Sequence, residues 1–314
     1  MNRWMAAGWL LLANALWGTS FVVVKVSLEQ LPPPLLGALR FLIASALLWG
    51  IIYLQRRLRP QAAVQVARQD AWRIFGLGVV VVAVTHLISN FGQSLTTATD
   101  ASLMIIGEVI FTTVLGALIL GERPSRWKKI GAAVGAVGAV TLILSGARSS
   151  GDGAAGLVRA AGDLLFLLGL MGEALYSILG AKYVRRYSAL TVTALVNTGS
   201  LVIWIPVLIW YIASGRFPWG ASWMAYAGVV YLAVINSVVC FLIWFMVLRS
   251  APANFGAISL FAQPLVGSVL GVTLLGDRVT AGLVAGGVMV LLALLCATLP
   301  EKGRAASPGS QASA

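Results

Sequence analysis

Long apolar runs, separated by short charged or Gly/Pro-rich stretches, cover most of the 314-residue chain. An α-helix needs roughly 20 apolar residues to cross the hydrocarbon core of a bilayer. Runs of about that length fall at residues 5–27, 33–54, 73–94, 100–120, 128–145, 163–181, 190–213, 223–247, 255–275 and 281–299. The sequence shows no sustained period-two alternation of the kind typical of a transmembrane β-barrel. The pattern therefore predicts an all-α integral membrane protein with ten transmembrane helices.

The composition excludes a soluble enzyme. Hydrophobic residues make up 59% of the chain and charged residues 10%, against roughly 45–50% and about 25% in soluble proteins. The two cysteines, Cys240 and Cys296, lie in apolar runs, and the sequence contains no metal-ligand spacing, catalytic motif or ATP-binding signature. We therefore expect no metal, no cofactor and no enzymatic activity. The net charge of +12 is not interleaved with aromatic residues on a soluble segment, so we expect no nucleic-acid partner.

Lysine and arginine are distributed unevenly between the predicted loops. With the N-terminus inside, the inner segments carry 16 of these residues and the outer loops carry 4. The remaining two, Lys25 and Arg40, fall inside predicted helices. Basic residues collect on the cytoplasmic side of membrane proteins, so both termini are predicted to be cytoplasmic.

The chain contains an internal repeat. The segment GALILGER at 116–123 recurs as GVTLLGDR at 271–278, an offset of 155 residues that also pairs Gly131 with Gly286. Because each copy has an odd number of crossings, the second must insert upside down, so the fold is predicted as two inverted five-helix repeats. Such repeats are typical of alternating-access transporters with a site near the midplane. The predicted units are a first repeat at 1–145, a linker at 146–162, a second repeat at 163–299 and a disordered cytoplasmic tail at 300–314.

Several motifs resemble those of the EamA family of the drug/metabolite transporter superfamily. They are LWGTSFVVVK at 16–25, prolines 32–34 followed by LRFLIA at 39–44, and GERPS at 121–125. The resemblance covers residues 5–299 and implies export of amino acids or other small metabolites across the bacterial cytoplasmic (inner) membrane. It also implies a cavity lined by helices one to four and six to nine. The chain departs from the family at Glu173, where members often carry an aromatic residue.

Four ionisable side chains fall within the predicted membrane core, where such groups usually face the bundle interior or a wet cavity. At about 1.5 Å per residue, Arg40, His86 and Glu108 lie about 10–12 Å from the predicted outer surface, and Glu173 lies about 15 Å deep. A cation, a carboxylate and the only histidine would therefore share one level. Glu108 and Glu173 are the predicted proton-coupling residues.

Each of these residues also has a structural interpretation. Arg40 would brace the outer ends of two helices, and His86 would be a packing histidine. Lys25 would extend to the membrane interface. Glu173 would form an ion pair with Arg40 or Lys25.

Glu108 is the sharpest candidate because an unpaired carboxylate at that depth must bind a proton, a cation or an amine. Its repeat counterpart is Gln263, just before Pro264. A mid-helix proline frees a carbonyl and indicates a discontinuous helix that lines a cavity. The predicted substrate-binding set joins Arg40, His86, Glu108, Glu173 and Gln263 with Asn14, Trp17, Tyr176, Asn236 and Trp244.

These features predict a secondary active transporter that exports small amphiphilic metabolites, foremost amino acids or amine-bearing compounds, with proton coupling as one mode. A uniporter or exchanger that holds an anionic solute with Arg40 and Lys25 remains an alternative. A non-transporting membrane sensor or assembly partner is a second alternative, because Gly-x-x-x-Gly faces such as 131–135 favour helix packing. These faces serve either the monomer or a homodimer.

Overall fold

A computed structural model describes residues 3–58, 66–121, 124–150, 153–248 and 259–299. Within these ranges the chain is helical and forms no strand, as predicted. The predicted tail at 300–314 lies outside the described residues.

Ten helices follow one another along the described chain. They are α1 (Arg3–Leu28), α2 (Pro33–Leu58), α3 (Arg68–Leu95), α4 (Ala98–Leu120), α5 (Arg126–Ser149), α6 (Gly153–Arg186), α7 (Ala189–Ala213), α8 (Trp223–Tyr231, Leu232–Cys240 and Phe241–Leu248), α9 (Ala262–Leu275) and α10 (Ala281–Thr298). Nine of these described helices are long and apolar enough to cross a membrane. Helix α9 has 14 residues and spans about 21 Å, against about 30 Å for the hydrocarbon core. A tenth crossing therefore stays a prediction.

The helices on either side of the predicted linker are longer than the apolar runs suggest. Helix α5 continues to Ser149 and α6 begins at Gly153, so most of the segment predicted as a flexible linker at 146–162 is helical. Alanine, which is frequent there, is the strongest helix former. Arg159, in the same segment, donates from Nε to the Asp100 carboxylate at 3.1 Å. Intrinsic propensity and a tertiary ion pair thus replace the predicted linker with helix.

Local structures recur at the 155-residue offset. Gly121 and Gly276 end α4 and α9 with φ values of 65° and 69°, a left-handed conformation that favours glycine. Ser125 and Thr280 cap the N-termini of α5 and α10, and each hydroxyl accepts a hydrogen bond from the third backbone N–H that follows. A duplicated chain would produce these correspondences.

The irregular segments correspond as well. α-Helical hydrogen bonding changes to the π pattern at Gly78–Val82 in α3 and at Leu232–Cys240 in α8, and short π segments often occur at functional sites. Helix α4 is interrupted at Ile105, and turn residues 260–261 precede α9. Pro264 lies in the first turn of α9 rather than in mid-helix, a position where the missing N–H costs no helical bond.

Glycines bring α5 and α10 into backbone contact. A Cβ at Gly131 would lie 2.7 Å from the Ala293 carbonyl oxygen, and one at Gly286 would lie 2.6 Å from Leu142 Cγ. Contacts this short leave room for hydrogen only. These glycine faces therefore pack within one copy of the chain, which favours the intramolecular role over a dimer interface.

Candidate functional site

A small cavity lies between helices of the two halves. Helices α2 and α3 contribute to its wall from the first half, and α6, α7 and α8 contribute from the second. Four of the predicted site residues line it, namely Arg40, His86, Glu173 and Tyr176. The other lining residues are Phe41, Val82, Thr193, Val196, Asn197, Ser237 and Phe241.

Arg40 is anchored at one end of its guanidinium. Its Nε donates to Ser237 Oγ at 2.9 Å, and Ser237 in turn donates to the Leu232 carbonyl at 3.1 Å. That second bond spans five residues and belongs to the π segment of α8, which therefore orients the hydroxyl toward Arg40. Among the described residues, no carboxylate forms an ion pair with Arg40. Its terminal nitrogens are thus available for an anionic group on a ligand.

His86 connects α3 to the carboxylate of Glu173. The His86 Nδ1 atom lies 3.3 Å from Glu173 Oε1 and 3.1 Å from the carbonyl oxygen of Val82. The Val82 carbonyl can only accept, so Nδ1 is the protonated ring nitrogen in this hydrogen bond. The structural interpretation that paired Glu173 with Arg40 or Lys25 is therefore wrong, because the partner within ion-pair distance is His86.

An aromatic wall supports this pair. The Phe41 ring packs edge-to-face on His86 with centroids 4.7 Å apart, and it stacks on Trp204 at 5.9 Å with an interplanar angle of 10°. A Cβ at Gly37 would lie 2.6 Å from the Trp204 ring, so glycine at that position lets α2 approach the indole. The apolar wall fixes the imidazole ring beside Glu173.

Two lining residues of α7 each carry a buried oxygen without a partner in the described protein. Thr193 Oγ1 and Asn197 Oδ1 are buried, and neither forms a hydrogen bond within the described protein. Asn197 Nδ2, by contrast, donates to the Thr193 carbonyl at 2.8 Å. Because a buried polar atom without a partner is costly, these two oxygens are suited to a ligand that supplies hydrogen bonds.

Glu108 does not line the cavity. It occupies the first turn of the helix that resumes after Ile105, where the helix dipole favours a carboxylate. It forms no hydrogen bond or ion pair with the described protein, and it lies within electrostatic range of Glu173. Glu108 is thus next to the site electrostatically but outside its lining.

Asn14 and Gln263 form a contact between α1 and α9. Gln263 Nε2 donates to Asn14 Oδ1 at 2.6 Å, and Asn14 Nδ2 donates to Ser259 Oγ and to the Leu10 carbonyl, both at 2.9 Å. Asn14 is fully buried and Gln263 nearly so. The structure therefore brings these two predicted site residues together as a packing contact away from the cavity.

Trp17, Asn236 and Trp244 form an adjacent cluster between α1 and α8. Trp17 Nε1 donates to the Asn236 carbonyl, and Asn236 Nδ2 donates to the Leu16 carbonyl, both at 3.2 Å. The Trp17 ring lies 5.3 Å from Phe241 and 5.7 Å from Trp244 between centroids. Phe241 lines the cavity, so this cluster supports the wall from behind.

Sequence reasoning missed several lining residues, although the repeat contained a signal for them. At the 155-residue offset, Phe41 corresponds to Val196, Val82 to Ser237, and His86 to Phe241, and all six line the cavity. Applying the offset to Arg40, His86 and their neighbours would have indicated the second-half wall.

The described residues contain no group of three or more His, Cys, Asp or Glu side chains that could hold a metal ion. Cys240 and Cys296 are free thiols.

Comparisons with known proteins agree with this architecture. The family model of EamA-like transporters matches residues 4–144 and 160–299. A transporter from Archaeoglobus fulgidus is 26% identical, with 94% of this chain and 98% of the relative covered. A probable amino-acid metabolite efflux pump from Salmonella typhimurium is 26% identical, with 90% and 91% covered. A crystal structure with 22% sequence identity has a TM-score of 0.65 and covers 94% of this chain and 97% of its own, a likeness that concerns the fold alone.

Proposed function

Because the chain belongs to the EamA-like transporter family, we propose that it is a secondary active transporter that exports small amphiphilic metabolites. The relative named as an amino-acid metabolite efflux pump supports amino acids or other amine-bearing compounds as cargo. The uneven distribution of basic residues supports an orientation with both termini in the cytoplasm. The bacterial relatives named as efflux pumps support a location in the bacterial cytoplasmic membrane.

The observation that carries this proposal is the presence of Arg40 and Glu173 in one aromatic-lined cavity. An amino acid would place its carboxylate against the terminal nitrogens of Arg40 and its ammonium against Glu173. Its side chain would pack on rings such as Phe41, Tyr176 and Phe241. Few, well-placed polar groups within an apolar wall are the usual composition of a small-molecule site.

Alternating access is the proposed cycle. The two halves would be inverted copies that rock about the cavity. The corresponding π segments in α3 and α8 and the paired lining positions support this arrangement, because each half supplies equivalent parts of one wall. The sequence contains no nucleotide-binding signature, so the proposed energy source is a gradient of ions or solutes.

The proposed coupling is competition at Glu173, with Glu108 as its electrostatic neighbour. A cargo ammonium and a proton cannot both neutralise the same carboxylate. Each cycle that moves cargo outward would then return a proton inward. Antiport follows from this exclusion.

The test uses purified protein reconstituted in lipid vesicles. Counterflow of radiolabelled amino acids, and of the corresponding amines without a carboxylate, is measured with and without a pH gradient. We expect Glu173→Gln to reduce gradient-driven uptake at least tenfold. We expect Arg40→Gln to impair amino acids more than the amines. Glu29→Gln, which neutralises an exposed carboxylate at the end of α1, serves as the matched control and should transport normally.

The outcomes separate the alternatives. Full gradient-driven uptake by Glu173→Gln removes the proton–cargo exchange, and the same result for Glu108→Gln removes the second carboxylate from it. If Arg40→Gln is the only variant that loses transport, and the wild-type protein shows strong counterflow that does not depend on pH, the protein is an exchanger of anionic solutes. That exchanger would use Arg40 without Lys25, whose ammonium already binds three backbone carbonyls. A protein that moves no cargo and gains no thermal stability from any of these ligands is a sensor or assembly partner.

A further inference from the structure

Asp163 is a buried carboxylate far from the cavity. It lies ten residues before Glu173 on α6, which is about 15 Å along the helix, and it is 0% exposed. Thr96 Oγ1 donates to Asp163 Oδ1. The other oxygen, Oδ2, has no hydrogen-bond partner in the described protein. Half of this carboxyl group is therefore buried without compensation.

An ion pair and helix caps lie near Asp163 where α3 ends and α4 begins. Arg159 donates from Nε to Asp100 Oδ2 at 3.1 Å, and the Asp100 side chain is 1% exposed. Asp277, which follows α9, accepts from the backbone N–H of Thr99 at 2.9 Å and from its hydroxyl at 2.7 Å. These bonds join α4 and α6 to the end of α9. They close this end of the helix bundle.

Lys25 completes the closure from α1. Its Nζ donates to the carbonyl oxygens of Gln93 at 3.3 Å and Ser94 at 3.2 Å, and also to that of Thr96. The ammonium therefore caps the C-terminus of α3 instead of pairing with a carboxylate. We call Lys25, Thr96, Asp100, Arg159, Asp163 and Asp277 the closure network.

The charges of the closure network do not balance when all its members are ionised. It holds three carboxylates but two cations. The guanidinium of Arg159 binds Asp100 through two nitrogens, and Lys25 binds carbonyls, so Asp163 has no cation of its own. Asp100 and Arg159 lie within electrostatic range of Asp163, and Glu29 and Asp277 lie within range of Lys25. An unpaired buried carboxylate is costly enough that such groups are neutralised instead.

We propose that Asp163 is a proton-binding site, and that this end of the bundle closes only when Asp163 is protonated. Opening this end would expose Asp163 to water, where it ionises, whereas closing it buries the neutral acid. A proton held only by the closed form changes the ratio of closed to open molecules by up to tenfold per pH unit. Acid would therefore favour closure.

The test measures closure directly with a thiol reporter. Ala98, at the start of α4, is 2% exposed, so Ala98→Cys becomes accessible only when this end opens. The reporter is placed in a chain lacking Cys240 and Cys296, in lipid nanodiscs that leave both faces in contact with buffer. Its labelling rate with a charged maleimide is divided at each pH by that of Gly220→Cys. Gly220 is exposed and its Cβ would meet no atom within 4 Å, so the ratio cancels the intrinsic pH dependence of the thiol.

We expect the normalised labelling rate to fall at least tenfold between pH 9 and pH 5. Asp163→Asn, which mimics the protonated acid, should label slowly at every pH. Thr96→Val removes a hydrogen bond that Asp163 accepts only in the closed form. Its loss destabilises the closed form, so the midpoint of the transition should move to lower pH. Glu29→Gln removes an exposed carboxylate at the same end and should shift the midpoint less than Thr96→Val does.

Three results would overturn the proton site. The first is labelling of the reporter chain that does not depend on pH, and the second is a transition that survives Asp163→Asn. The third is a midpoint shift in Glu29→Gln as large as that in Thr96→Val. If Asp163→Asn does not fold, an unmoved midpoint in Thr96→Val overturns it instead. The inference rests on the proposed function in one respect, which is that alternating access requires an open form at this end. The labelling experiment itself needs no cargo. Transport without pH-dependent labelling therefore removes the proton site alone, whereas pH-dependent labelling without transport removes the proposed function alone.

Discussion

Two glycines in α3, Gly76 and Gly78, lie two residues apart in very different surroundings. A Cβ at Gly78 would lie 2.0 Å from the Val196 carbonyl oxygen and 3.0 Å from the Ser200 backbone nitrogen, whereas a Cβ at Gly76 would meet nothing within 4 Å. On the facing helix, a Cβ at Gly199 would lie 2.1 Å from the Phe75 carbonyl oxygen. The backbones of α3 and α7 are therefore in direct contact at this crossing.

Alanine at each position yields opposite effects on stability. Replacing a helical glycine by alanine stabilises by up to about 1 kcal/mol where the new Cβ meets no neighbour, and Gly76→Ala should show this gain. Gly78→Ala has the same backbone gain, but overpacking costs about 1–3 kcal/mol, and here the obstacle is a carbonyl that cannot rotate away. We expect Gly78→Ala to be less stable than Gly76→Ala by about 2 kcal/mol or more.

The same substitution should also change the cavity, because Val82 and Val196 belong to the contacting helices and line it. The assay compares apparent melting temperatures of both variants and the wild type in one detergent, followed by counterflow in vesicles. Gly78→Ala should melt below the wild type and transport poorly, and Gly76→Ala should do neither. If Gly78→Ala melts at or above Gly76→Ala, the direct contact between α3 and α7 is refuted.

Three further predictions concern the cavity and the orientation of the chain. Ser237→Ala removes the hydroxyl that holds Arg40, so the half-saturating cargo concentration in counterflow should rise about tenfold, as for a hydrogen bond to a charged group; an unchanged value would show that Arg40 is positioned without it. Thr193→Val replaces an unpartnered buried hydroxyl by a methyl of similar size, so the melting temperature should be unchanged or higher while cargo affinity falls; a loss of stability would show that the hydroxyl has a partner. In intact cells a membrane-impermeant maleimide should label Gly220→Cys and spare Gln55→Cys at the exposed end of α2; the reverse pattern would invert the predicted orientation.

Apolar runs predicted the positions of the helices well but not their ends. The apolar run at 5–27 corresponds closely to the helix Arg3–Leu28. The two agree because the thickness of the membrane sets both the length of an apolar run and the length of the helix that crosses it. The α6 helix begins at Gly153 instead of 163. Hydropathy could not indicate this extension, because an Ala-rich helical turn beyond the apolar run is held by propensity and by the pairing of Arg159 with Asp100.

The candidate site was predicted by depth alone, and depth was not sufficient. Arg40, His86 and Glu108 were predicted to share one level and Glu173 to lie deeper. Arg40, His86 and Glu173 line one cavity, whereas Glu108 does not. A position along a helix fixes the depth of a side chain in the membrane. The direction in which the side chain points depends on how the helix packs against its neighbours, which the sequence pattern does not show. The interruption at Ile105 adds a further change of direction just before Glu108.

The repeat conveys more about the cavity than any single motif, because equivalent positions supply its wall from both halves. Chemistry differs between the members of each pair, however. His86 in the first half corresponds to Phe241, and Ser237 in the second half corresponds to Val82. One member of each of these pairs is polar and the other apolar, so the backbone frame is duplicated while the hydrogen-bonding groups are not. A cavity built in this way can preserve equivalent packing in both halves and still hold an asymmetric ligand in one orientation, with its charged end at Arg40 and Glu173.

Exchanging His86 and Phe241 should therefore leave folding largely intact but abolish cargo binding, since it moves the imidazole away from Glu173. A double variant that binds cargo with unchanged affinity would show that the pairing of His86 with Glu173 does not orient the ligand.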